Sequence, residues 1–133
     1  MVEIRSSSGK RPEGDLVIRT IAMPADTNPA GDIFGGWLMA QMDLAAGNLA
    51  AARSRGRNAT VAVDGMQFLR PVKVGDEVTL YARLQSSGRS SMKIRVEAWA
   101  RNRFSMESFP VTEAEFVFVA LDAEGRSRAL PED

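Results

Sequence analysis

The sequence predicts an α+β domain in which an antiparallel five-stranded sheet wraps around one long apolar helix. Three observations carry this. The stretch from Gly35 to about Ser54 is rich in Ala, Leu, Met and Gln, which favour helix. One alternating apolar–polar segment precedes it, and four strand-like segments follow it, three of them alternating, with no second helical pattern. The turns among the last four are short, so those strands run antiparallel and the helix packs on one face of their sheet.

Taken in order, residues 1–14 are Ser, Gly, Lys, Arg, Pro and Glu with little to bury, and are expected to form a disordered N-terminal tail. Residues 15–133 form a single domain, a length that supports one core and no second. Leu16 and Ile18 alternate with Val17 and Arg19 in a short strand, which Pro24, Pro29 and Gly31 break, so 24–34 is a structured loop. In the helix, Leu38, Met42, Ala45, Ala46 and Leu49 share a face. Trp37, Leu44 and Ala51 make the opposite side apolar too, so the helix is expected to be wrapped nearly all round. Gly56, after Arg53 and Arg55, is its expected stop. Residues 59–68 are apolar and β-branched, with a turn at Pro71 and Val74–Asp76. Val78, Leu80, Ala82 and Leu84 mark the next strand, and Ser86–Ser91 its hairpin connection. Met92, Ile94, Val96, Ala98 and Ala100 alternate in the fourth. Thr112, Ala114, Phe116, Phe118 and Ala120 do so in the last.

Composition removes whole classes of function. Lys plus Arg number 17 and Asp plus Glu 17, so the broad positive field of a nucleic-acid binder is missing. The chain has no cysteine, its opening lacks the apolar core of a secretory signal, and no run is long enough to span a bilayer. A cytoplasmic setting without a membrane partner is expected. With no histidine, Ser-His and Cys-His arrangements and the common zinc sites are excluded. No metal is therefore expected, and acid–base chemistry falls to a carboxylate, Lys, Tyr or Arg. Ser90-x-x-Lys93 matches a serine–lysine motif. On an alternating strand, however, positions three apart point to opposite faces, so it makes no site.

Asp43 is the only ionisable residue between Gly35 and Ala52. Asp is a weak helix former and cannot serve as an N-cap there. Either it sits at the edge of the apolar face, held by Arg or backbone donors, or it is kept for chemistry as a general base or nucleophile. Gly35-Gly36 opens the helix, where backbone N–H groups lack internal partners and the positive end of the dipole collects. These glycines either let a ligand approach the backbone or simply permit a tight turn into the helix. Two turns of helix separate Gly35 from Asp43, which hints that a second chain completes a site. Asn28 precedes Pro29, which holds it extended with its amide free to point outward, or makes it a turn starter.

The segment Asn28-Pro29-Ala30-Gly31-Asp32-Ile33-Phe34-Gly35-Gly36-Trp37-Leu38-Met39-Ala40-Gln41-Met42-Asp43 resembles the active-site segment of hotdog-fold acyl-CoA thioesterases, particularly the YciA-type enzymes. Phe68–Asp76, Ala114–Leu121 and the Arg128-Ala129-Leu130-Pro131 ending resemble them as well, so the likeness spans about 16–131. It implies dimerisation by sheet extension, with sites at the subunit boundary and assembly as a dimer, tetramer or hexamer. It further implies that Asp43 is the catalytic carboxylate, that the Gly35 N–H polarises the thioester carbonyl with Gly36 close by, and that Asn28 orients water or substrate against Asp43 of the facing subunit. Many relatives carry His where this chain has Phe34, so Phe34 is assigned to acyl-pocket or interface packing. Arg70 and Lys73, and the hairpin Arg89-Ser90-Ser91, are the candidates for holding CoA. No cofactor is implied beyond the CoA of the substrate.

The chemistry closes without histidine. A thiol of pKa about 8.5 departs as thiolate with little help from a general acid, whereas an alkoxide or amine leaving group needs a proton. Hotdog dehydratases and hydratases rely on a His paired with a carboxylate, and this chain has none. The alternative is a non-catalytic acyl-CoA-binding sensor using the same groove, which a thiol-release assay separates from an enzyme.

Overall fold

The computed structural model describes residues 5–6 and 10–133. In order these form β1 (Arg5–Ser6), β2 (Asp15–Ile21), a 3-10 turn (Pro24–Asp26), α1 (Gly35–Ser54), β3 (Asn58–Phe68), β4 (Glu77–Ser87), β5 (Ser91–Arg101) and β6 (Glu107–Ala120). Strands β2 to β6 make an antiparallel sheet ordered β3-β6-β5-β4-β2, and the helix lies across one face. This is the hotdog arrangement.

Strict alternation drives the layering. Met92, Ile94, Val96, Ala98 and Ala100 of β5, with Ala114, Phe116, Phe118 and Ala120 of β6, point to the helix and are buried. Leu38, Met42, Ala45, Ala46 and Ala50 of α1 meet them. Burying each large apolar side chain of this set contributes roughly 1.5–3 kcal/mol, which outweighs the weak helix preference of Asp43 and the glycines.

Three expectations are corrected. The helix is covered by its own sheet on one face only: Leu44 is 60% exposed, Met39 41%, and Ala51 is also exposed. Its stop is Arg55, in the left-handed conformation at φ 54, rather than Gly56. Gly56 instead leaves room for Arg128, whose guanidinium donates to the carbonyls of Ser54, Arg57 and Leu121 and closes the helix end. Finally, a sixth strand, β1, pairs in parallel with Glu107–Ser108 of β6.

Of the N-terminal segment, residues 1–4 and 7–9 lie outside the described residues. Glu13 is tied down: its N–H donates to Glu97 Oε2 at 3.2 Å, and its carboxylate accepts from Arg83 at 3.0 Å. It lies on the sheet face away from the helix, where Trp99 Nε1 donates to the other oxygen of the buried Glu97.

The two sheet edges differ. Among the described residues, β3 has a strand only on its β6 side. Its Val61 is 58% exposed and its Val63 39%. A long apolar edge of this kind is a template for a further strand.

Candidate active site

The loop from Ala22 to Phe34 is held by the ends of its neighbours. Ala22 N–H donates to Asp76 O, Ile33 N–H to Val72 O, and Phe34 N–H to Asp26 O. Inside it, Asn28 Oδ1 accepts the backbone N–H of Ala30 at 3.0 Å and of Asp32 at 3.1 Å. Both readings of Asn28 are thereby joined. Its carbonyl oxygen makes the turn, which fixes the plane of the amide and leaves the NH2 without a partner among the described residues.

The helix begins without a side-chain cap, because Phe34 occupies the N-cap position. The first helical hydrogen bonds run from Trp37 and Leu38 to Phe34 O. The Gly35 and Gly36 N–H groups have no acceptor among the described residues. Two donors thus point outward at the positive end of the helix dipole. Phe34 is half-exposed and folds its ring over Gly36, so closely that a methyl there would collide with it. Phe68 lies beside Gly35, with its ring 3.7 Å from where a Cβ would stand. Gly35 borders a cleft of about 240 Å³ lined also by Ile33, Leu38, Phe68 and Leu69. A second cleft of about 310 Å³ shares Arg70 and Pro71 with it and adds Lys73, Asn102 and Phe109. Arg70 stacks over Phe109 at 4.5 Å, and Lys73 reaches Asp32 at 3.7 Å.

Asp43 is half-buried on the flank of α1 that faces β3. Thr60 Oγ1 donates to its Oδ1 at 2.6 Å, leaving Oδ2 without a partner among the described residues. Thr60 is a hydrogen-bond partner of the candidate Asp43 that sequence reading misses. It lies 17 positions from Asp43, and nothing in its own strand pattern distinguishes it from any other Thr.

Gly35 and Asp43 do not meet within one chain. Eight helical positions separate them, about 12 Å along the axis. The two basic candidates are also apart. Arg70 and Lys73 lie by the helix start. Arg89-Ser90-Ser91 lies at the opposite end of the sheet, where Ser91 pairs with Val119 and Leu130 N–H donates to Arg89 O. One chain therefore offers an amide pair at the helix start, with Gly35 beside an apolar cleft, at one level and a single carboxylate at another. Among the described residues, no group of His, Cys, Asp and Glu is placed to hold a metal ion, and no helix is long and apolar enough to cross a membrane.

The comparisons with known proteins agree on one family. The thioesterase superfamily model matches residues 30–103. The chain is 52% identical over 129 residues to the acyl-CoA thioester hydrolase YciA of Escherichia coli (strain K12), covering 95% of this chain and 98% of that protein. Among solved structures it is similar to a hexameric broad specificity acyl-coenzyme A thioesterase, with TM-score 0.92 and 47% identity over 98% of this chain and 90% of that one. It is also similar to an acyl-CoA hydrolase from Staphylococcus aureus solved with butyryl coenzyme A and coenzyme A, with TM-score 0.79 and 32% identity over 87% and 73% of the two chains. Sequence, fold and the Asn28–Asp43 segment thus converge: the chain belongs to the thioesterase superfamily, in its YciA-type branch of hotdog acyl-CoA thioester hydrolases.

Proposed function

We propose that this protein hydrolyses acyl-CoA thioesters at a site built from two copies of the chain. The observation that carries the proposal is the pair of unengaged Gly35 and Gly36 amides, two helical turns away from the only carboxylate of the helix. Antiparallel pairing of the β3 edge with β3 of a second copy removes the separation. Asp43 lies at the level of Thr60, and Gly35 at the level of Phe68. A two-fold axis near Asp64 therefore sets Thr60 of one copy against Phe68 of the other, and Asp43 against the opposing Gly35. The same operation carries the Arg89-Ser90-Ser91 hairpin of one copy to the end of the sheet that holds Arg70 and Lys73 of the other.

In this site the thioester carbonyl accepts from the Gly35 N–H, and charge developing on its oxygen is met by a fixed donor at a helix N-terminus. Asp43 of the opposing copy supplies the nucleophile, either by taking a proton from water or by attacking the carbonyl carbon itself. The Asn28 NH2 orients that water or the substrate against Asp43. The C–S bond then breaks and CoA leaves as thiolate, which needs no general acid; on the second route water then cleaves the acyl–Asp43 anhydride, releasing the fatty acid and the free carboxylate. Phe34 and Phe68 keep the amides in apolar surroundings, where a hydrogen bond to the oxyanion is stronger than in water. Arg70, Lys73 and the Arg89 hairpin are assigned to the charged end of CoA. The similar solved enzyme is hexameric, and the same assembly is proposed for the pairs formed by this chain.

The test is thiol release from acyl-CoAs of several chain lengths by the wild type and by Asp43→Ala. Turnover by the wild type and its loss in an Asp43→Ala protein of unchanged assembly are expected. No turnover at any chain length would favour the non-catalytic sensor, and near wild-type activity in Asp43→Ala would remove Asp43 from the mechanism.

A further inference from the structure

Asp76 is a buried carboxylate that the mechanism above does not use. It is 5% exposed and pairs with no cation among the described residues. The neighbouring cations are engaged elsewhere: Lys73 Nζ lies 3.7 Å from Asp32, and Arg101 3.2 Å from Glu77. A carboxylate buried without a counter-charge costs stability, so what it holds in place has to offset that cost. Asp76 Oδ2 accepts the Lys73 N–H at 3.0 Å, and the Asp76 N–H donates to Lys73 O at 3.0 Å. Together these bonds close a tight turn in which Gly75 takes φ 90.

The segment that contains this turn holds both ends of the loop that carries Asn28. At the start of the loop, Ala22 N–H donates to Asp76 O at 2.9 Å and Gly75 N–H to Ala22 O at 2.7 Å. At its end, Ile33 N–H donates to Val72 O at 3.4 Å. Ala22, Ile33 and Val72 are buried, so these backbone bonds are shielded from water. Between its ends the loop bonds to itself. Thr27 pairs with Ile33, Asn28 N–H donates to Asp32 O, and Phe34 N–H donates to Asp26 O. It is a self-bonded unit hung on one turn, and whatever displaces the turn displaces Asn28. The start of α1, by contrast, has an anchor of its own in the buried Leu38 and Met42.

We propose that Asp76 is a positioning residue for thioester hydrolysis: by closing the Lys73–Asp76 turn, it fixes where the Asn28 NH2 meets water or substrate. The inference rests on the role given to Asn28 above and extends it to a side chain that touches no reacting atom. A misplacement of well under the length of a hydrogen bond is enough to slow a reaction that depends on orientation.

The test measures kcat, KM and amide hydrogen exchange in the wild type, Asp76→Ala, Asp76→Asn and Gly75→Ala, and repeats the kinetics with Asn28→Asp added. Asp76→Ala removes the acceptor and is expected to lower kcat about tenfold with KM within about twofold. Asp76→Asn keeps an oxygen for the Lys73 N–H and should restore most of the rate. Gly75→Ala strains the same turn while leaving the carboxylate, because a side chain is disfavoured at that φ although its Cβ would meet Arg103 at an ordinary 3.7 Å. It should lower kcat severalfold, and it carries the test if Asp76→Ala does not fold. Asn28→Asp keeps the oxygen that makes the loop's own turn and deletes the NH2. In that background either change should cost less than about twofold, since no amide is left to misplace. An equal loss with and without the Asn28 amide would sink the proposal, as would an unchanged kcat in the single variants. A rate in Asp76→Asn as low as in Asp76→Ala would also refute it, by tying the effect to charge and not to the turn. Hydrogen exchange reads the clamp without turnover. The Asn28, Ala30 and Asp32 amides should exchange about tenfold faster in Asp76→Ala, with β5 unchanged. Unchanged exchange in the loop would overturn the clamp whatever the rates. A wild type that hydrolysed no thioester, but whose loop loosened in this way, would count against the activity and not against the clamp.

Discussion

A proline at position 35 tests the oxyanion donor and the two-chain site together. Gly35 is the first helical residue, where proline is tolerated because its missing N–H would make no helical bond. Phe34 before it is extended, at φ -65 and ψ 127, which is the conformation a following proline requires. A Cβ at 35 would stand 3.7 Å from the Phe68 ring, so the added carbons meet ordinary contacts. Gly35→Pro therefore deletes one N–H and little else, and Gly35→Ala is the matched control that keeps it. Loss of one such donor costs about 3 kcal/mol of transition-state stabilisation, so kcat should fall 10²–10³-fold in Gly35→Pro. Gly35→Ala should stay within a few-fold of the wild type, and both should keep wild-type melting temperatures.

Complementation then reads which chain supplies which group. Asp43 and Gly35 of one copy lie about 12 Å apart along the helix, while reacting atoms must approach to about 3 Å. When Gly35→Pro and Asp43→Ala chains are unfolded together and refolded, about half of the pairs are mixed, and each mixed pair holds one intact site. The mixture should recover about a quarter of wild-type activity, although each parent is nearly inactive. Thiol release across a range of mixing ratios should peak at equal amounts. Activity that never exceeds the sum of the parents would place both groups on one chain, and full activity in Gly35→Pro would remove that amide from catalysis.

Thr60→Val keeps the shape of a half-exposed strand residue and removes the donor to Asp43. It should lower kcat about ten- to a hundredfold with KM and melting temperature nearly unchanged, and Thr60→Ser should restore most of the rate. Equal rates in Val and wild type would reduce that hydrogen bond to a surface contact. Thr112 Oγ1 is fully buried with no hydrogen-bond partner among the described residues, so Thr112→Val removes a desolvated hydroxyl at constant volume. It should stabilise the protein by about 1 kcal/mol, and a lowered melting temperature would show that the hydroxyl is satisfied, for instance by a buried water.

What the sequence discloses is what local chemistry decides. The helix from Gly35 to Ser54 was legible because twenty residues of good helix formers follow a Gly-Gly opening. Strands β2, β4, β5 and β6 were legible from their alternation, and β3 from its apolar, β-branched run. The solitary Asp43 was legible from the apolar run around it. The features that escaped are created by tertiary contact. Two residues become β1 because Glu107–Ser108 offers an edge, not because Arg-Ser favours strand. Arg55 takes the left-handed cap usually given to glycine because Arg128, 73 positions away, satisfies the carbonyls there and leaves Gly56 to make room for it. Thr60 reaches Asp43 only once β3 has found its place beside the helix.

Exposure of Leu44 and Met39 has a different origin, and it connects folding to catalysis. The sequence calls for a helix covered nearly all round, and one chain covers it on one face. Among the described residues, the same chain leaves Val61 and Val63 bare on an unpaired edge, the Gly35 amide free beside an apolar cleft, and a carboxylate out of its reach. Each of these is a cost to an isolated chain: uncovered apolar area, an aggregation-prone strand, and polar groups with nothing to bind. The antiparallel β3 pairing proposed above would remove the edge and set Asp43 against the opposing Gly35. In the proposed pair, a register of β3 on β3 centred near Asp64 would cover the edge and assemble the site in one step.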